Sequence, residues 1–221
     1  MNRSRTTTPK VSDCFPATSM PDRDWWEALW PDPSATLGRA DIPPGNLAID
    51  LCCGDGIFTS ALASLFARVI ALDLDATLLD QARSRTAVLI PPDRVAFLQA
   101  NAYDLTHIAA THGGPADCVL LANTFHGVPD QARLARAVAA TLRPGGSFVI
   151  INWHRLPREE TKVLGVPRGP ATGMRMTPEE TVAAIGPAGF TQARLVDLPP
   201  WHYACVATAG PQPRRGGRTL G

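Results

Sequence analysis

The chain has 221 residues, 45% of them hydrophobic and 19% charged, with a formal net charge of +1. That length suits one α/β domain with a substantial core and is short for two large ones. The near-zero charge removes any general attraction to nucleic acid or to an anionic membrane surface. No apolar run approaches the roughly 20 residues of a membrane span, and no apolar signal core follows Arg3 and Arg5. Five cysteines without framework spacing suit a reduced, cytoplasmic protein. No C-x-x-C pair or His/Cys cluster is present, so no metal is expected.

In chain order, residues 1–20 are Thr/Ser/Pro-rich and aperiodic, and a flexible N-terminal tail is expected. Residues 21–40 form a Trp-rich segment. Asp22 or Asp24 can cap a short helix there, and Trp26 and Trp30 stand at i, i+4 on one face. Two readings are open, a helix clamped onto the domain or a lid over a ligand site. Pro31 and Pro33 are expected to end it.

Ala48 to Thr59 reads as a buried strand, a glycine turn and a helix start. Leu47, Ile49 and Leu51 are apolar, Gly54 and Gly56 permit a left-handed turn and close approach of a ligand, and the helix after them presents free N–H groups. Phe58, Leu62 and Leu65 make one helical face. The third glycine of a G-x-G-x-x-G turn is Thr59, which argues against a dinucleotide. Asp50, a carboxylate in an apolar strand, needs hydrogen bonds, either bracing the turn or capping the strand end.

A second strand, Arg68 to Asp73, ends in a carboxylate placed to accept from both hydroxyls of a ribose. Asp75 then caps a helix carrying Leu78, Leu79 and Ala82. A third strand, Val95 to Ala100, leads into Asn101 and Ala102. A fourth, Ala116 to Ala122, leads into Asn123, Phe125 and His126. In an open α/β sheet ligands lie beyond the carboxyl ends of the strands, which puts these three residues near reacting atoms and makes His126 a general-base or substrate-contact candidate. Asp130 opens a helix on Leu134, Val138 and Leu142. Leu142-Arg143-Pro144-Gly145-Gly146 then gives a helix stop and tight turn before a fifth strand.

The acid-closed strand with its Gly54-x-Gly56 turn, Asp73 and the L-x-P-G-G turn, in that order, resemble the class I S-adenosylmethionine-dependent methyltransferases over about residues 40–155. Around Asn123 the wording is closest to small-molecule members of the menaquinone-biosynthesis type. The resemblance implies a Rossmann-like, doubly wound seven-stranded α/β sheet, mostly parallel with an antiparallel last strand, as a single methyltransferase domain over 21–208. It implies S-adenosyl-L-methionine as cofactor, held by Asp50, Cys52, Gly54, Asp55 and Gly56 from the first turn. Asp73 and Leu74 would follow from the second strand, Asn101 and Ala102 from the third, and Asn123 and Phe125 from the fourth. The implied reaction is in-line methyl transfer to a small-molecule acceptor.

Past the fifth strand, residues 155–177 form an irregular stretch of arginines and prolines, where the resembled family builds its substrate cover. Loops of this length are usually functional or disordered. Trp26, Trp30, Trp153, Arg168 and Arg175 are the substrate candidates, and the arginines suggest an anion. His126, His154 and Tyr203 are the catalytic candidates, needed only if the nucleophile carries a proton. Thr177-Pro178-Glu179-Glu180 is a capping box with Pro at the first helical position. Strands Thr191 to Leu198 and Trp201 to Thr208, joined at Pro199-Pro200, must run antiparallel. His202 and Tyr203 alternate, so at most one is expected to face a core. Residues 209–221 are expected to be a disordered tail. No basic stripe marks a nucleic-acid substrate, and nothing fixes an oligomeric state. Two other classes remain open, an NAD(P)-dependent oxidoreductase and a non-catalytic module that binds S-adenosylmethionine.

Overall fold

The computed structural model describes residues 21–211, so the expected tail over 1–20 and residues 212–221 of the C-terminal one lie outside the described residues. Two short helices, α1 (Arg23–Leu29) and α2 (Pro33–Arg39), precede the sheet. The alternating chain follows as β1 (Gly45–Leu51), α3 (Thr59–Leu65), β2 (Phe66–Asp73), α4 (Ala76–Thr86), β3 (Val95–Gln99), α5 (Leu105–His112), β4 (Ala116–Ala122), α6 (Gln131–Thr141) and β5 (Leu142–Trp153). A two-stranded ribbon, β6 (Lys162–Val163) and β7 (Val166–Pro167), precedes α7 (Pro178–Ile185), β8 (Phe190–Leu198) and β9 (His202–Ala209).

The main sheet has seven strands in the order β3-β2-β1-β4-β5-β9-β8. β1 pairs in parallel with β2 and β4, and β9 runs antiparallel to both β5 and β8. The order reverses between β1 and β4, which opens a crevice beyond their carboxyl ends. Side chains alternate across β1. Leu47, Ile49 and Leu51 join the core under α5, α6 and α7, while Ala48 joins the opposite core under α1 to α4. Both faces of the sheet are covered, as its apolar strands require.

The caps follow the sequence. Asp75 accepts from the N–H of Thr77 and Leu78, Asp130 from Arg133, and Thr177 and Glu180 form a reciprocal capping box. Four local expectations are corrected. Pro33 does not end a helix but begins α2, where its missing N–H costs nothing and Asp32 accepts from Ala35 at 2.9 Å. The Pro144-Gly145-Gly146 segment is a bulge within β5 rather than a separate turn. Leu142 pairs with Ala116 and Ser147 with Cys118, and a Cβ on Gly146 would stand 3.0–3.1 Å from three carbonyl oxygens. His202 and Tyr203 are both buried, because β9 is an interior strand covered on both faces. Ala209, expected in the C-terminal tail, is buried in β9.

Candidate active site

One cavity of about 810 Å³ opens beyond the carboxyl ends of β2, β1, β4 and β5. That is toward the upper end of the roughly 300–1,000 Å³ typical of ligand pockets. Its floor begins at the turn after β1. Cys52 has φ 58°, Gly54 φ 55° and Gly56 φ 80°, so three residues of this turn take left-handed backbone. The Cys53 N–H donates to the carbonyl of Leu72 at 2.8 Å, tying the turn to β2. Asp73 ends β2 on the cavity wall. Its carboxylate accepts from Gly54 N–H at 2.8 Å and from Asp75 N–H at 3.0 Å. Each oxygen has two lone pairs, so acceptor capacity is left toward the cavity.

Asp50 is the second carboxylate on this wall. Thr59 Oγ1 donates to its Oδ2 at 2.6 Å, and burial pushes its pKa up to about 7. Thr59 is fully buried there. The residue that breaks the dinucleotide fingerprint is therefore the hydrogen-bond partner of the acid in β1. Leu74, Leu78 and Ala102 supply apolar wall beside Asp73, flat enough for an aromatic ring.

At the β4 end stand Asn123, with φ 58°, and His126. Asn123 Oδ1 and Nδ2 and His126 Nε2 are buried with no hydrogen-bond partner among the described residues. Unpaired buried polar atoms are costly in a native fold, and Trp26 Nε1 and Arg168 Nε on the same cavity are unpaired too. Burial lowers the His126 pKa, against the raising influence of Asn152, which favours the neutral imidazole. The far wall carries Trp153 from the end of β5, Arg158, Arg168 and Met174 from the stretch after it, and Trp25 and Trp26 from α1.

The structure brings Asp50, Cys52, Gly54, Asp73, Leu74, Ala102, Asn123, His126, Trp26, Trp153 and Arg168 to this one cavity. It does not bring the other expected residues there. Asp55 turns away to Arg85, 2.5 Å from its Oδ2. Gly56 lies against α4, where a Cβ would stand 2.8 Å from that of Ala82. Asn101 accepts from the N–H of Tyr103 and caps its own turn. Phe125 points to the opposite core, edge-on to Phe148.

Trp30 packs behind the cavity between Phe58 and His202. Arg175 is 1% exposed and donates to the carbonyls of Pro170, Leu156 and Arg168 and to Thr161 Oγ1, so it braces the loop from inside. His154 pairs with Asp197 at 2.8 Å, away from the cavity. Tyr203 lies under α7, 2.6 Å from Thr181 Oγ1. Thr124 and Met174 line the cavity without having been singled out in the sequence, and Phe58, named only for its helical face, lines it too. Trp25 and Arg158 stood in segments already marked for the site, but their direction is set by tertiary packing.

Residues 48–146 match the family model of a methyltransferase domain. The chain is 31% identical over 142 residues to the ubiquinone biosynthesis O-methyltransferase of Xanthomonas campestris pv. campestris, covering 60% of this chain and 57% of that one. It is 27% identical over 115 residues to the 2-phytyl-1,4-naphtoquinone methyltransferase of Trichormus variabilis, covering 51% and 48%. The matched segment is similar to the S-adenosylmethionine-dependent methyltransferases. Its acid-closed first strand lies inside the sheet, between β2 and β4. A methyltransferase of Aquifex aeolicus has the same fold, with a TM-score of 0.67 at 18% identity over 92% of this chain and 98% of that one. The chain spans about half the length of the curated relatives it matches.

The wall fits the family's cofactor. Asp73 offers carboxylate lone pairs where a ribose would need them, Leu74, Leu78 and Ala102 offer apolar surface for a base, and the unpaired Asn123 amide offers both a donor and an acceptor.

Proposed function

We propose that the chain transfers a methyl group from S-adenosyl-L-methionine to a hydroxylated aromatic small molecule. The observation that carries this reading is the shared cavity. Asp73, Asn123 and His126 all line it, with three tryptophans opposite. When bound, the cofactor supplies an electrophilic methyl group on a sulfonium, whose departure leaves a neutral thioether.

The residues divide by strand. Asp73, Cys52, Gly54, Leu74 and Ala102 hold the adenosyl half. Asp50 stays behind the turn with Thr59 and fixes the start of α3. Asn123 bonds the polar part of the ligand nearest β4. His126 takes the hydroxyl proton at Nε2, a role open to it because burial keeps the ring neutral. Trp25, Trp26 and Trp153 sandwich the acceptor and exclude water, so the protein's chief contribution is alignment. On this reading 21–40 is a lid and 155–177 the acceptor cover.

The Xanthomonas relative is named for O-methylation in ubiquinone biosynthesis, which supports an aromatic hydroxyl as the acceptor class. Four free cysteines among the described residues, three of them buried, support a cytoplasmic setting. No described helix is long and apolar enough to cross a membrane.

The test is methyl transfer from labelled S-adenosylmethionine to a panel of catechols, hydroxybenzoates and quinols, read as labelled product and S-adenosylhomocysteine. His126→Ala is expected to lower kcat by about 10²–10⁴-fold with cofactor affinity kept. Cofactor binding without transfer to any acceptor would instead favour a non-catalytic binding module.

A further inference from the structure

The five cations of residues 155–177 have separate fates. Arg155 forks onto the Glu180 carboxylate at 2.8 and 2.5 Å. Arg175 is buried and consumed by backbone carbonyls. Lys162 lies on the ribbon, off the cavity wall. Arg158 and Arg168 reach the cavity, and neither forms an ion pair with a carboxylate of the described residues.

The Arg168 guanidinium lies 5.1 Å from the centre of the Trp25 ring. Its Nε is buried with no hydrogen-bond partner, and no side-chain bond of this residue is present among the described residues. Arg158 spends its Nε on the Gly169 carbonyl at 3.0 Å, which leaves its terminal nitrogens toward the cavity. Gly169, at φ 83°, presses on Trp153, where a Cβ would come within 2.8 Å of the ring. The two guanidinium groups and the aromatic wall are thus held as one unit.

The cavity is charged unevenly. Asp50, Asp73 and Asp75 line the end beyond β1 and β2. Trp153 ends β5, three strands from β2 in the sheet order, or about 14 Å at roughly 4.8 Å per strand. At that end stand Arg158 and Arg168, with the buried Arg175 charge 5.1 Å behind the Trp153 ring. The one carboxylate on the same wall, Asp22, pairs with neither arginine. Arg158 is exposed and Arg168 half-buried, and a half-buried cation without a counter-charge is stabilised by an anion that brings one.

We infer that the acceptor is an aromatic carboxylate, its carboxylate held by Arg168 with Arg158 beside it and its ring against the apolar wall of the cavity. This deepens the methyltransferase reading and rests on it. The cationic pair then selects acids over neutral rings of the same shape, because a neutral amide leaves both guanidinium groups unpaired.

The test titrates a matched pair, 3,4-dihydroxybenzoate and 3,4-dihydroxybenzamide, into the protein saturated with S-adenosylhomocysteine. Quenching of tryptophan emission reads binding. The acid is expected to bind about ten- to a hundredfold tighter than the amide, the range of one charge-assisted contact. Arg168→Gln and Arg158→Gln are each expected to lower that ratio while S-adenosylhomocysteine affinity and thermal midpoint stay near wild type. Raised salt is expected to shrink it too. Equal binding of acid and amide, no binding of the acid, or an unchanged ratio in both variants overturns the inference and leaves the cofactor reading standing. A folded wild type that does not bind S-adenosylhomocysteine overturns the reading beneath it.

Discussion

Asp50 and Asp73 are carboxylates on neighbouring strands with different duties. Asp73 accepts two backbone N–H bonds at the cavity edge. Asp50 is 2% exposed and has one donor, Thr59. Burial lifts its pKa from 3.8 to about 7. The unfolded chain loses this proton first as pH rises, so between those values folding takes up a proton and stability falls. Above about pH 7 both states are ionised and the penalty is constant. About three pKa units correspond to roughly 4 kcal/mol.

Asp50→Asn is therefore expected to gain stability relative to wild type as pH rises from 5 to 7.5, measured by urea denaturation at both values. Parallel curves would refute the assignment. The sequence marked Asp50 as a carboxylate in need of a partner, but not which partner. Thr59 looked like a missing glycine, and only the return of the chain into α3 puts its hydroxyl on the acid. Arg175 went the other way. An arginine in an Arg/Pro-rich loop reads as a ligand cation, and its capture by carbonyls of the same loop depends on a path that no local pattern encodes.

At the scale of the element, α1 serves two ends with one helical face. Trp26 and Trp30 stand four residues apart, and their rings meet edge-on with centroids 6.1 Å apart, as the spacing suggests. Trp30 is the residue after the helix, with φ −119°, and its ring swings back onto Phe58 and His202. The cavity receives Trp25 and Trp26 instead, whose rings meet edge-on. Of the segment posed as clamp or lid, Trp30 packs into the core while Trp25 and Trp26 also line the cavity.

Trp30→Ala is expected to cost about 3–5 kcal/mol in a denaturation experiment, as loss of a large buried aromatic ring does. Trp25→Ala, beside the cavity mouth, is expected to weaken acceptor binding more than cofactor binding. The ribbon β6–β7 was not legible. Each of its strands is two residues long, too short for a period, and its closure rests on Gly165 at φ 78° and Leu164 at φ 52°.

For the molecule as a whole, the alternation of strands and helices and the caps agree with the doubly wound sheet that the family resemblance implied, and the short Pro199-Pro200 link gave the antiparallel β9. These are local signals that agree with the global arrangement. The cavity was legible where ligands meet strand ends, at Asp73, Ala102, Asn123 and His126. On the far wall Trp26, Trp153 and Arg168 were among the expected residues, whereas Met174 arrives on irregular chain with no periodicity to aim it. The net charge of +1 hides an acidic end and a basic end of one cavity.

The most direct test of the account is calorimetric titration of S-adenosylmethionine and S-adenosylhomocysteine, with NADH as control, into wild type and Asp73→Ala. Micromolar binding of both adenosyl ligands, weakened about tenfold or more in the variant, with no binding of NADH, is the predicted result. A folded wild type that binds neither adenosyl ligand, or that binds NADH in their place, would contradict it.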